Sequence, residues 1–121
     1  IEDRDIEEEY DISLSKFYDE YITKIIEKNK NEFINGFVDY LYDVSFDDER
    51  NVKFLAELEE ERLRGAFDAY EGLYPNFLNE LSTKLAEKRT KTKSKKFDRL
   101  LMELNNVASG YLKQVISDVM K

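Results

Sequence analysis

Between Leu14 and Tyr42 the apolar residues come in adjacent pairs spaced four apart: Phe17-Tyr18, Tyr21-Ile22, Ile25-Ile26, Phe33-Ile34, Phe37-Val38 and Leu41-Tyr42. One slot in the series, Asn29-Lys30, is polar. A helix turns about 100° per residue, so each four-residue step carries the pair about 40° further round. Six steps sweep the apolar stripe through roughly 240°, more than one neighbouring helix covers. The segment is therefore the centre of a helical bundle. Either the helix breaks near Asn29–Asn31, or it meets different partners along its length. An unbroken helix from Ser13 to Asp43 is about 46 Å long, more than a domain of this size spans, so a break or bend at Asn29–Asn31 is expected.

Chain length bounds the rest. The 121 residues suit one domain, with a radius of gyration of about 14 Å. Glycine (4) and proline (1) leave few hard breaks, which favours helices over a turn-rich β protein. The expected fold is all-α: a compact bundle of four to five helices over residues 12–121, an acidic N-terminal extension at 1–11, and a basic loop between helices. Ile1 rather than Met opens the chain, as in an excerpt or a processed product.

Cysteine and histidine are both absent. Their absence removes disulfides, thiolate nucleophiles, Cys/His zinc sites and every triad that needs an imidazole base. A chain without cysteine fits a reducing, cytoplasmic setting. The sequence has no secretory signal and no apolar run long enough to cross a bilayer.

Charge is strongly polarised along the chain. Residues 1–11 carry seven acids against Arg4, and residues 84–99 carry eight basic residues against Glu87 and Asp98, within a net −8 overall. A protein this acidic repels nucleic acid and anionic membranes unless one local patch dominates. The acidic arm reads as a solvated tail or frayed helix start, or as a segment that folds against a basic surface. Asp11 or Ser13 is placed to cap the first helix.

Further along, Ser45-Phe46-Asp47-Asp48 resembles a capping box for a helix from about Phe46 to Gly72. An EF-hand loop begun at Asp43 fails, because Asp48 stands where glycine is needed and Phe54 where glutamate is needed. Val52, Leu55, Leu63, Ala66, Phe67, Tyr70, Leu73 and Tyr74 share one face of this helix, and Glu59 falls in the middle of it. A carboxylate there is exposed where the bundle opens, paired with Arg62, or buried and functional. Glu60 precedes Arg64 by four residues, the favourable order for a surface pair. Phe54 and Leu58 lie off the main stripe and mark a second contact surface.

Gly72 is placed to end that helix and Pro75 to open the next, which runs to about Lys88. Lys88–Lys96 (KRTKTKSKK) holds six basic residues and no apolar one, and reads as a loop. Ser94 or Thr92 then caps a last helix from about Lys95 to Met120. Gly36 is expected to admit a close backbone neighbour. Tyr18, Tyr21, Tyr42, Tyr70, Tyr74 and Tyr111 fall at core or core-edge slots rather than around a ligand.

No catalytic signature, metal set or cofactor motif emerges, and the chain is expected not to be an enzyme. A carboxylate site near Glu57, Glu59, Glu60 and Glu61 lacks the histidines that di-iron bundles use. The favoured function is a subunit or adaptor that docks on a protein partner through a helix face, using Phe54, Leu58, Glu57, Glu60 and Glu61, with charge steering its approach. The first alternative is a nucleic-acid accessory domain using Lys88, Arg89, Lys91, Lys93, Lys95 and Lys96. The second is an acidic inhibitor, immunity-type or DNA-mimicking, that covers a basic site. Self-association is compatible with all three.

Overall fold

The computed structural model describes residues 2–70 and 74–121, with side chains described at residues 20 and 21 and from residue 24 onward. The chain is all-α. Its five helices are α1 (Glu2–Val44), α2 (Val52–Tyr70), α3 (Phe77–Thr92), α4 (Lys95–Val107) and α5 (Gly110–Val119), with no strand among the described residues. No helix among the described residues is long and apolar enough to cross a membrane. Two compact units divide the chain, residues 1–33 and 34–121.

The first unit is helical from Glu2 onward. Neither Asp11 nor Ser13 stands at the start of the helix, which begins at Glu2 and runs through both. The expected break at Asn29–Asn31 is also missing. An asparagine inside a helix costs less than about 1 kcal/mol, and no glycine or proline lies nearby to add to it. Lys28 and Glu32 bridge the polar slot as a pair four residues apart (3.9 Å). Lys30, in that same slot, is buried at 5% exposure. Tyr21 and Ile25 are exposed, against the core-edge position expected for Tyr21. Side chains of the acidic arm and of Tyr18 lie outside the described residues.

The second unit holds the core. Ile34, Phe37, Val38 and Leu41 of α1 are buried, as are Leu55 and Leu63 of α2 and Phe77, Leu81 and Leu85 of α3. Phe97, Leu100, Leu101 and Leu104 of α4 join Leu112, Val115, Ile116 and Val119 of α5. Tyr42, Tyr70, Tyr74 and Tyr111 sit half-buried at the edge, where a phenol keeps its hydroxyl near water. Gly36 admits no close neighbour: a side chain built there meets open space.

Three boundaries differ from expectation, each for a local reason, and Pro75, expected to open α3, lies in the turn before its first residue, Phe77. The start of α2 moves from Phe46 to Val52 because Asn51, not Ser45, is the cap. The Phe54 N–H donates to Asn51 Oδ1 at 3.1 Å, and the Ser45 hydroxyl instead donates back to the Tyr42 carbonyl. The residue expected to end α2, Gly72, lies outside the described residues. Helix α3 runs on to Thr92 through most of the basic tract. Cations suit the negative end of a helix, and Lys93, at φ 50°, closes it by donating its N–H to the Arg89 carbonyl at 3.1 Å. The expected last helix is two: α4, capped by Ser94 Oγ accepting from Phe97 N–H at 3.2 Å, and α5, with Ala108 and Ser109 extended between them.

Candidate functional site

Helix α2 positions the side chains of interest, and its register is fixed at the N-terminus. Besides the Asn51 cap, Arg50 clamps the preceding loop. Its Nη1 donates to the carbonyls of Asp47 (2.8 Å) and Ser45 (3.4 Å), and its Nη2 to Glu103 Oε2 on α4 (3.1 Å). With 100° per residue, the buried positions Leu55, Glu59, Leu63, Ala56 and Glu60 span an arc of about 140°. Phe54 and Leu58 lie on the opposite side, at 62% and 37% exposure. Glu57 and Glu61 fall on that same outward face and are exposed. The apolar pair is thus one turn long and flanked by acid.

Glu60 leaves this set. Its carboxylate turns toward α5, where Oε2 accepts the Leu112 N–H at 2.7 Å while Oε1 accepts from Arg64 Nη2 at 2.8 Å. Arg64 also lies over the Tyr111 ring (5.4 Å), and that ring stacks on Phe67 (4.4 Å between centroids). The group acts as a remote cap for α5, whose own Ser109 makes no side-chain cap bond.

Glu59 is fully buried, and both of its oxygens accept from Arg62 Nη1 at 3.0 Å. Burial pushes its pKa above the usual carboxylate range, and the charge and hydrogen bonds of Arg62 pull it partly back. Arg62 lies 5.7 Å from the centre of the Tyr40 ring. Of the three fates open to Glu59, the structure combines pairing with burial.

The basic tract is divided by use. Lys88 reaches Asp39 (3.3 Å) and lies over the Tyr42 ring, and Lys96 approaches Asp48 (3.9 Å). Arg89 donates to Asp98 (2.9 Å) and to the Val119 carbonyl (3.2 Å), tying α3 to α4 and α5. Lys91, Lys93 and Lys95 are exposed and without a partner among the described residues. A groove of about 540 Å³ between α1 and α3 contains Lys84, Lys88 and Lys91. Lys84 is matched there by Glu87 (3.6 Å) and Lys88 by Asp39, so the groove has no large excess of positive charge. Phe97, the aromatic beside the tract, is fully buried and offers no stacking platform.

No known protein family, curated protein or solved structure matches this chain.

Sequence reasoning missed the roles of Arg50, Asn51 and Glu60. Asn51 had a readable signal, an N-cap residue followed by apolar Val52 and Leu55. Glu60 had none, because the amide it caps lies fifty-two residues away.

Proposed function

We propose that this chain is a non-catalytic protein-binding domain whose contact surface is the outward face of α2, with Phe54 and Leu58 as apolar anchors and Glu57 and Glu61 beside them. The observation that carries the reading is the 62% exposure of Phe54 one turn from half-exposed Leu58, on a helix whose opposite side is committed to the core. Burying such a side chain in a partner contributes about 1.5–3 kcal/mol, the scale of an interface anchor. The adjacent acids favour a partner surface with an apolar socket and a basic rim, and they act mainly on encounter rate and register.

The test is affinity capture with the intact chain and with Phe54→Ser/Leu58→Ser, each with and without nuclease. The reading expects a protein retained by the intact chain after nuclease and lost from the variant, whose stability falls by no more than about 1–2 kcal/mol because Phe54 is mostly exposed and Leu58 only partly buried. Equal retention by the variant refutes it.

A second reading, nucleic-acid binding, is favoured by lysines 91, 93 and 95, exposed and without a partner among the described residues. With three phosphate contacts instead of six, affinity falls only about 40-fold between 50 and 200 mM salt, where six give on the order of a thousandfold. Capture that disappears with nuclease supports this second reading. The inhibitor reading rests on Glu57 and Glu61 together with the acidic arm at residues 1–11, since Glu60 caps α5.

A further inference from the structure

The break between α4 and α5 falls inside an apolar register that passes straight through it: Leu100-Leu101, Leu104, Val107-Ala108, Tyr111-Leu112, Val115-Ile116. Only Ala108 and Ser109 are extended there, with φ/ψ of −72°/153° and −133°/171°. Neither forbids a helix, and no proline intervenes. The break is held from outside. Glu60 accepts the Leu112 N–H, and a side chain built at Gly110 would meet Glu60 Oε1 at 2.1 Å. Gly110 itself sits at φ +60°, a left-handed conformation that glycine adopts freely. Asn105 fastens the fold-back, accepting from Lys113 Nζ and Ser117 Oγ, both at 3.1 Å to its Oδ1.

We infer that the Ala108–Gly110 junction is a hinge through which two copies of this chain exchange α5. Once the Glu60 latch opens, residues 95–119 form one helix about 37 Å long. Leu112, Val115, Ile116 and Val119, now at most 6% exposed, then lose their places against α2, α3 and α4. The surface shaped to receive them is the one the second copy has vacated. The exchange is reciprocal, which makes a closed two-fold dimer. A short two-residue linker favours such exchange over a slack one. The inference is independent of the docking reading of α2.

Gly110→Ala is the decisive variant. Its methyl group collides with the Glu60 carboxylate, strains φ +60°, and at the same time favours the continuous helix. Light scattering after size exclusion is expected to show the dimerisation constant raised at least about tenfold over the parent, with Glu60→Gln shifting it less in the same direction. Two glycines inserted between Ala108 and Ser109 in the Gly110→Ala background return the monomer. Exchange is separated from other dimers by mixing Phe67→Cys and Tyr111→Cys chains, both in the Gly110→Ala background, and adding a short bismaleimide. These two rings stack within one chain, and the sequence has no other cysteine. A cross-link between the two variants supports exchange. A dimer without it overturns the inference, and so does a folded, monomeric Gly110→Ala. If Gly110→Ala does not fold, Glu60→Gln decides: monomer at all concentrations overturns the inference, and a dimer that cross-links with the same pair in its own background upholds it.

Discussion

Replacing Arg62 with methionine isolates the cost of burying Glu59. The substitution keeps most of the aliphatic bulk and removes both 3.0 Å bonds from a carboxylate with no exposed surface. Breaking a buried pair by deleting one partner costs about 3–5 kcal/mol. Arg62 is itself 39% exposed, so the pair is partly hydrated and the lower figure, about 3 kcal/mol at neutral pH, applies. For a chain of this length that is about 10 °C in Tm.

The pH dependence has a definite sign. Burial already raises the folded-state pKa of Glu59, and Arg62 supplies both of the opposing effects. Without Arg62 the pKa rises further. A carboxyl with a raised folded-state pKa destabilises the fold in full above that pKa; the penalty shrinks as pH falls through the folded-state value and is gone only below the unfolded-state one. The deficit of Arg62→Met relative to the parent is therefore largest near neutrality and shrinks on acidification, by at most about 1.4 kcal/mol per pH unit. The lost contact with Tyr40 contributes about 0.5–1 kcal/mol independent of pH, and so remains as the floor. Urea unfolding followed by far-UV circular dichroism from about pH 8 to about pH 5 measures the whole curve. The same series on Glu59→Gln/Arg62→Met gives the reference without a titrating group, and its stability carries no pH dependence from position 59. A loss below about 1 kcal/mol at pH 7, or one that is unchanged at pH 5, refutes the assignment of Glu59 as a penalised buried acid.

Two further perturbations test the boundaries and the charge. Asn51→Ala and Ser94→Ala each remove a side-chain cap and are expected to cost about 1 kcal/mol in chemical denaturation, whereas Thr92→Ala, whose hydroxyl donates to the Lys88 carbonyl at 2.8 Å, stays within about 0.5 kcal/mol. Lys91→Gln, Lys93→Gln and Lys95→Gln together lower the salt slope of any nucleic-acid binding by about 2.7 in fluorescence anisotropy, while Lys88→Gln, already paired with Asp39, changes it little.

The all-α class was legible because paired apolar residues at four-residue spacing fit helices, although the early pairs of α1 are not all covered, Tyr21 and Ile25 being exposed. Boundaries were less so, and the reasons are specific. Asn29–Asn31 looked like a break because length was weighed against domain size, while the propensity cost of two asparagines is small. Lys88–Thr92 looked like a loop because it lacks apolar residues, yet cations at a helix C-terminus are favoured by the dipole, and Arg89 is held by Asp98 and Val119. The α4–α5 break had a local signal in Ser109-Gly110, passed over because the apolar pairs run straight through it, and Glu60 on α2 helps to hold it.

The run Glu59-Glu60-Glu61 shows how far a charged stretch can be read from sequence. Three identical neighbours look like one solvated face, but successive 100° rotations send them to three environments. Glu59 faces Arg62 from inside the core, Glu60 caps α5, and Glu61 stays in solvent one turn beyond Leu58 on the outward face. Helical angle alone predicts the separation. Distinguishing the first two requires the partners, and those come from α2 itself in one case and from α5 in the other. The same rotation explains why the outward face keeps its apolar pair. The arc opposite Phe54 already carries Leu55, Leu63, Ala56 and both buried acids, so turning α2 to cover Phe54 would expose that whole arc. Its exposure is therefore set by the register of α2 and does not reflect a loosely packed end.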